Sequence, residues 1–183
     1  MITPIITICG RPNVGKSTLF NRIVGKRKSI VSEIPGTTRD TLQSNCNWKD
    51  KSFILVDSGG IELDSVNQLT KKVQLKSYDS IKESNQILFL VDAHEGITNI
   101  DQEILREIRK FDKNIILVIN KVDLAPYVGV DASSIEAEAI SVRGSGPVIS
   151  CQCRSENNHH GVEKIAREIS TQVLFLDGIF DAA

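Results

Sequence analysis

Eight consecutive residues, Gly10-Arg11-Pro12-Asn13-Val14-Gly15-Lys16-Ser17, leave this chain very few folds. They have the spacing G-x-x-x-x-G-K-S of a loop that wraps phosphate groups. The context such a loop requires is present as well. An apolar β-branched run, Ile5–Cys9, precedes it, and a helical pattern, Lys16–Val24, follows it. Glycine lets the backbone curl so that successive N–H groups converge on phosphate oxygens, and the helix N-terminus adds the positive end of its dipole. The amides from Asn13 through Val14, Gly15, Lys16, Ser17 and Thr18 are therefore candidate phosphate ligands. Lys16 is placed to reach the β- and γ-phosphates, and the Ser17 hydroxyl to meet Mg²⁺.

The rest of the chain repeats the same alternation. Short apolar runs at Ile5–Cys9, Ser52–Val56, Ile87–Val91, Ile115–Ile119 and Val148–Cys151 are separated by helical patterns at Lys16–Val24, Val66–Glu83, Asp101–Phe111 and Val162–Val173. Four of the five runs lack polar alternation, as parallel strands buried on both faces do. The order predicts an α/β fold, a doubly wound and mostly parallel sheet with right-handed crossovers. One antiparallel edge strand is expected at Thr41–Trp48, turning at Lys49-Asp50-Lys51 into the next strand. The segment Ala125–Gly146 should hold a loop and a short helix near Ser134–Val142, and Ser155–His160 a polar loop. At 183 residues the chain suits one domain, which we place at residues 1–176, with 177–183 a tail or the start of a linker.

A phosphate loop does not choose a base. Asn120-Lys121-Val122-Asp123, directly after the run Ile115–Ile119, does. Asp123 can accept two hydrogen bonds from guanine N1–H and the 2-amino group. Adenine has no such donor pair and would leave a buried carboxylate unpaired. Asn120 is expected to tie this loop to the phosphate loop, with the Lys121 stem along the base. Asp57-Ser58-Gly59-Gly60 ends another strand: Asp57 would hold Mg²⁺ through a water, and the Gly60 amide would sense the γ-phosphate.

Composition narrows the remaining classes. The formal net charge is −1, so no broad basic surface for DNA is implied, and the cluster Lys26-Arg27-Lys28 reads as a solvated helix end. Four cysteines, Cys9, Cys46, Cys151 and Cys153, form neither a zinc spacing nor a disulfide framework, which suits a reducing compartment. His159-His160 reads as exposed surface. No run approaches the roughly eighteen apolar residues of a membrane span and none has the pattern of a signal peptide, so a cytoplasmic, membrane-free protein is expected.

Longer strings carry a resemblance. Gly10 through Arg22, the segment Ile30-Val31-Ser32-Glu33-Ile34-Pro35-Gly36-Thr37-Thr38-Arg39-Asp40, Asp57-Ser58-Gly59-Gly60-Ile61 and Val91-Asp92-Ala93-His94-Glu95-Gly96-Ile97-Thr98 are similar to the Era/Der/MnmE branch of the translation-factor-related GTPases, and within it to the first GTPase domain of the Der family. The likeness runs from Ile5 to Val173. It implies the P-loop GTPase fold, GTP and GDP as ligands, and slow Mg²⁺-dependent hydrolysis serving as a switch. Thr38, with Thr37 as the adjacent alternative, falls where the first switch segment supplies a Mg²⁺-binding hydroxyl. Asn13 falls where K⁺-stimulated relatives help hold a monovalent cation. Lys16, Thr38, Gly60 and Asn13 would thus form the catalytic set.

Two departures qualify the resemblance. Ile61 replaces the water-orienting Gln of Ras-like proteins, as is usual in this branch, and leaves hydrolysis to a cation- or partner-assisted site. Ser150-Cys151-Gln152 stands where the family has Ser-Ala, whose second amide meets guanine O6. The resemblance further implies a role in assembly of the large ribosomal subunit, with a ribosomal particle or other GTPase and RNA-binding domains as partners. Der proteins carry a second GTPase domain and a KH-like domain that this chain has no room for. The alternatives are an Era-like or MnmE-like, tRNA-modifying role, or a nucleotide-gated binding module with negligible turnover.

Overall fold

Apolar strand runs without polar alternation need cover on both faces of a sheet, and five helices among the described residues supply it. A computed structural model describes residues 3–25, 42–48, 51–58, 62–63, 73–74, 78–129, 131–143, 145–153 and 161–172. Strands β1 (Ile5–Cys9), β2 (Leu42–Trp48), β3 (Lys51–Asp57), β4 (Glu62–Leu63), β5 (Val73–Gln74), β6 (Gln86–Asp92), β7 (Asn114–Asn120) and β8 (Val148–Ser150) alternate with helices α1 (Lys16–Gly25), α2 (Tyr78–Glu83), α3 (Asn99–Arg109), α4 (Ala132–Arg143) and α5 (Val162–Gln172). The main sheet is six-stranded in the order β2-β3-β1-β6-β7-β8. Its β2–β3 pair is antiparallel, from Trp48 opposite Lys51 to Leu42 opposite Asp57, and the other pairs are parallel.

Period-two alternation divides the core between the two faces. Leu88 and Leu90 of β6, with Ile116 and Val118 of β7, join Leu19 and Phe20 of α1 and Val162, Ile165 and Ile169 of α5. Ile87, Phe89 and Val91 of β6, with Leu117 and Ile119 of β7, face Ile81 of α2, Ile104 and Ile108 of α3 and Ile135 and Ala139 of α4. The spacing 162, 165, 166, 169 in α5 is one helical stripe, and all four residues are buried. Helix α3 begins on a reciprocal cap: Thr98 Oγ1 accepts from the Asp101 amide, and Asp101 Oδ2 accepts from the Thr98 amide at 2.9 Å.

The expected strands and the antiparallel edge strand are present with ends shifted by a residue or two. The expected helix at Val66–Glu83 is corrected. Val73–Gln74 pairs antiparallel with Glu62–Leu63, so its backbone is extended; the described helix of this stretch is α2, and residues 66–72 and 75–77 lie outside the described residues. The loop-and-helix segment contains a 3-10 turn at Ala125–Val128 and a longer helix than expected, α4. The basic cluster at 26–28, the switch segment with Thr37 and Thr38, the residues Gly59, Gly60 and Ile61, His159-His160 and the tail lie outside the described residues. Among the described residues, no helix is long and apolar enough to cross a membrane.

Gly161 opens α5 against the end of β8. Its φ is +83°, and a Cβ there would lie 2.1 Å from Ser150 O and 2.7 Å from Cys151 Cβ. Both neighbours are main-chain or near it and cannot rotate away. Gly161→Ala is therefore expected to cost about 2–3 kcal/mol of stability, from strain plus overlap. A denaturant titration with an unchanged midpoint would contradict this packing.

Candidate functional site

Every motif singled out in the sequence that the structure describes sits at the carboxyl end of a strand in the parallel part of the sheet. That edge is where open α/β sheets bind ligands, because helix N-termini and loops converge there. The phosphate loop leaves β1, Asp57 ends β3, Asn120 ends β7, and Ser150 ends β8. A cavity of about 320 Å³ lies between them, lined by Gly15, Thr18, Asn120, Lys121, Asp123, Leu124 and Cys153.

The phosphate loop is held in shape by its own groups. Asn13 adopts φ 66°, a left-handed conformation that Asn tolerates better than most residues, and it lies exposed on the loop's rim. Lys16 is only 5 % exposed, and its ammonium donates to Arg11 O at 2.7 Å across the loop. Burial lowers the Lys16 pKa from its usual value, against the opposing charge of Asp57. The Ser17 hydroxyl donates to Asp57 Oδ2 at 2.7 Å. A hydroxyl and a carboxylate meeting beside a phosphate loop are the hard oxygen donors that Mg²⁺ takes together with substrate phosphates, so the residues present fit that ion.

The base-recognition loop is tied directly to the phosphate loop. Asn120 Nδ2 donates to Val14 O at 2.9 Å, between residues 106 apart in sequence. Gly15, with φ +97°, passes so close to Asn120 that a Cβ would fall 2.3 Å from Nδ2. Lys121 has φ 63°, a conformation that costs energy in a long side chain and that tends to occur at binding sites. Its ammonium is paired with Asp92 Oδ2 at 2.5 Å. Asp123, two residues on, lines the cavity as expected for a base-reading carboxylate.

The third loop requires a correction. The Cys151 amide donates to Ile119 O at 2.8 Å, closing the β7–β8 ladder, so it is not free to meet a purine carbonyl. Gln152, the next residue, becomes the candidate. The Ser150 hydroxyl donates to Glu136 Oε2 of α4 at 2.9 Å and acts as a tether. The Cys151 side chain is nonetheless part of the site's framework, since its thiol donates to Asn120 Oδ1 at 3.4 Å.

Sequence reading passed over three groups. Asp92, named only within a family-like string, anchors Lys121 and also accepts from the His94 amide at 2.9 Å. Arg11 links the phosphate loop to the cap of α3, bonding Asp101 at 3.2 Å and Glu95. Burial weighs against its charge, but the bond to Glu95 and the nearby carboxylates outweigh it and raise its pKa. Cys153 lines the cavity. The signal for Asp92 and Arg11 was weak, because it lay in pairing between loops distant in sequence. For Cys153 it was the two-residue spacing from Cys151, which puts both side chains on one side of an extended segment.

Residues 5–121 match the model of a family described as 50S ribosome-binding GTPase. GTPase Der from Thermoanaerobacter sp. (strain X514) is 52% identical over 123 residues, covering 67% of this chain and 28% of that protein. GTPase Der from Desulforamulus reducens is 49% identical over 130 residues, covering 69% and 29%. The chain thus spans less than a third of the length of these curated relatives. Among solved structures, Era in complex with MgGDPNP and nucleotides 1506–1542 of 16S ribosomal RNA superposes with a TM-score of 0.72 at 28% identity, over 94% of this chain and 57% of that one. The G domain of the T. maritima FeoB iron transporter superposes with a TM-score of 0.68 at 21% identity, over 93% and 99%, which speaks to the fold alone.

Proposed function

The chain belongs to the family of 50S ribosome-binding GTPases, and from that premise we propose that it binds GTP, hydrolyses it slowly to GDP and phosphate, and serves as a switch in assembly of the large ribosomal subunit. The observation that carries this reading is the bond from Asn120 Nδ2 to Val14 O, which makes one site of a phosphate loop and a guanine-reading loop. GTP lies with its base against Asp123 and Lys121 and its phosphates in the amides of residues 13–18. Lys16 leaves Arg11 O for the β- and γ-phosphates and offsets charge as it develops on the bridging oxygen. Positioning and electrostatics dominate phosphoryl transfer, so few residues need to take part covalently. Mg²⁺ at Ser17, Asp57 and Thr38, and K⁺ beside Asn13, would add positive charge at the phosphate oxygens. Loss of the γ-phosphate frees the segments of Thr38 and Gly60, which is the switch. Residues 1–176 form the GTPase domain, and a ribosomal particle or attached RNA-binding domains read its state.

The test is turnover by the purified chain with Mg²⁺, in K⁺ and in Na⁺ at equal ionic strength. K⁺ is expected to raise turnover by about a hundredfold or more, the order contributed by one charge-stabilising group. Asn13→Ala should remove most of that response. Bound GTP with near-zero turnover in both salts would replace this reading with a nucleotide-gated binding module, which Ile61 favours because it cannot orient water.

A further inference from the structure

Two thiols stand at the wall of the nucleotide cavity, and the reaction proposed above uses neither. Cys151 Sγ and Cys153 Sγ are 3.7 Å apart, in van der Waals contact. Cys153 lines the cavity beside Asn120 and Asp123 with 2 % of its surface exposed, whereas Cys151 has none and touches Asn120 Oδ1. We infer that Cys151 and Cys153 are a hydroperoxide-sensitive dithiol whose oxidation to a disulfide weakens guanine-nucleotide binding, and which bound nucleotide shields; this rests on the nucleotide reading of the site.

Geometry sets the order of events. A hydroperoxide entering the empty cavity meets Cys153 first. The Cys153 thiolate attacks one peroxide oxygen, the O–O bond breaks, and an alcohol (or water) leaves, giving Cys153 sulfenic acid. The Cys151 sulfur then attacks the sulfenic sulfur and gives up its proton, the S–O bond breaks and water leaves. Two thiols lose two electrons to one hydroperoxide, and only a small side-chain rotation brings the sulfurs together. The surroundings favour these roles. The Cys151 S–H, shared between Asn120 Oδ1 and Cys153 Sγ, lowers the Cys153 pKa from its usual value against the opposing effect of burial, and Arg22 helps, its guanidinium lying on Cys153 O at 2.9 and 3.0 Å. That same contact, with burial, pushes the Cys151 thiol up. The other two cysteines are poor competitors, since burial raises Cys46 to about 11 and Cys9 above that.

The consequence follows from the contact between Cys151 and Asn120. Disulfide formation removes the S–H that donates to Asn120 Oδ1 and draws that sulfur toward Cys153. Asn120 is the residue whose other amide atom holds Val14 O, so the change reaches both the base-reading and the phosphate loops.

The experiment treats the reduced 183-residue chain with hydrogen peroxide, with and without saturating GDP. It reads intact mass, a peptide map and affinity for a fluorescent methylanthraniloyl-GDP. Without nucleotide, a loss of two hydrogens should map to Cys151–Cys153, affinity should fall at least tenfold, and a dithiol reductant should restore it. With GDP present, bond formation should slow by tenfold or more. Cys153→Ser and, separately, Cys153→Ala should each show the same affinity before and after peroxide, every variant being compared with its own reduced form. Oxidised protein without a Cys151–Cys153 bond, with unchanged affinity, or equally reactive under GDP would overturn the inference. Reduced protein that binds no labelled GDP would instead sink the nucleotide reading, and the peptide map would still decide whether the pair forms.

Discussion

Lys16→Ala is expected to weaken GDP and GTP binding by about two to four orders of magnitude without lowering the stability of the free protein. The two halves of this result have one cause. Lys16 is 5 % exposed and its ammonium rests on Arg11 O at 2.7 Å, so the fold buries a charge against a neutral carbonyl. Charge-assisted hydrogen bonds contribute about 1.5–3 kcal/mol each, and losing two at the phosphates gives the stated loss of affinity. In the free protein the same residue is a burden, because desolvation lowers its pKa below the unfolded value. That burden is full below the lowered folded pKa and fades as pH rises from there to the unfolded lysine value. Wild-type affinity should therefore decline as pH rises through the lowered value, and the variant's residual affinity should not. Calorimetric titration across alkaline pH, with thermal melts of both free proteins, checks this. A variant that melts well below wild type would show Lys16 to be structural, and unchanged affinity would refute the phosphate assignment.

Asp123→Asn should change which base is bound rather than only how tightly. A carboxylate at this position accepts from two guanine donors, whereas an amide presents one acceptor and a donor. Sites built around such bonds reject mismatched partners by about 10⁴–10⁵. GDP binding should fall by that order, while a purine carrying a carbonyl at C2, such as xanthosine diphosphate, should gain affinity. The cavity walls, with Gly15, Thr18, Asn120 and Leu124, stay as they are, so shape does not confound the comparison. Competition between GDP and xanthosine diphosphate is the measurement, and an unaltered preference for guanine would move base recognition away from Asp123.

The sheet was legible in the sequence because its signals are local. Unbroken runs such as Ile115–Ile119 admit few readings once a phosphate loop fixes the first strand and helix. The helix expected from Val66 failed because residues 73 and 74 take their conformation from a partner strand, 62–63, and not from their own periodicity. The site was legible as loops but not as a network. The donors at Asn120, Lys16 and Ser17 could be named from motif chemistry, but their partners could not. Asp92 under Lys121 and Arg11 against the α3 cap join segments 29 and 90 residues apart. The misassigned amide of Cys151 has the same origin, since the ladder to Ile119 consumes it.

The Asn120–Val14 bond has a temporal consequence. The phosphate loop leaves the ribosome first, yet it lacks this brace until β7 has been made, and the cavity wall at Cys153 comes later still. Contacts of such separation form late in folding, because their loops must close first. A nascent chain carrying the whole phosphate motif should therefore have no grip on nucleotide. The ability to bind arrives in one step after β7 has been made, when β8 docks beside it.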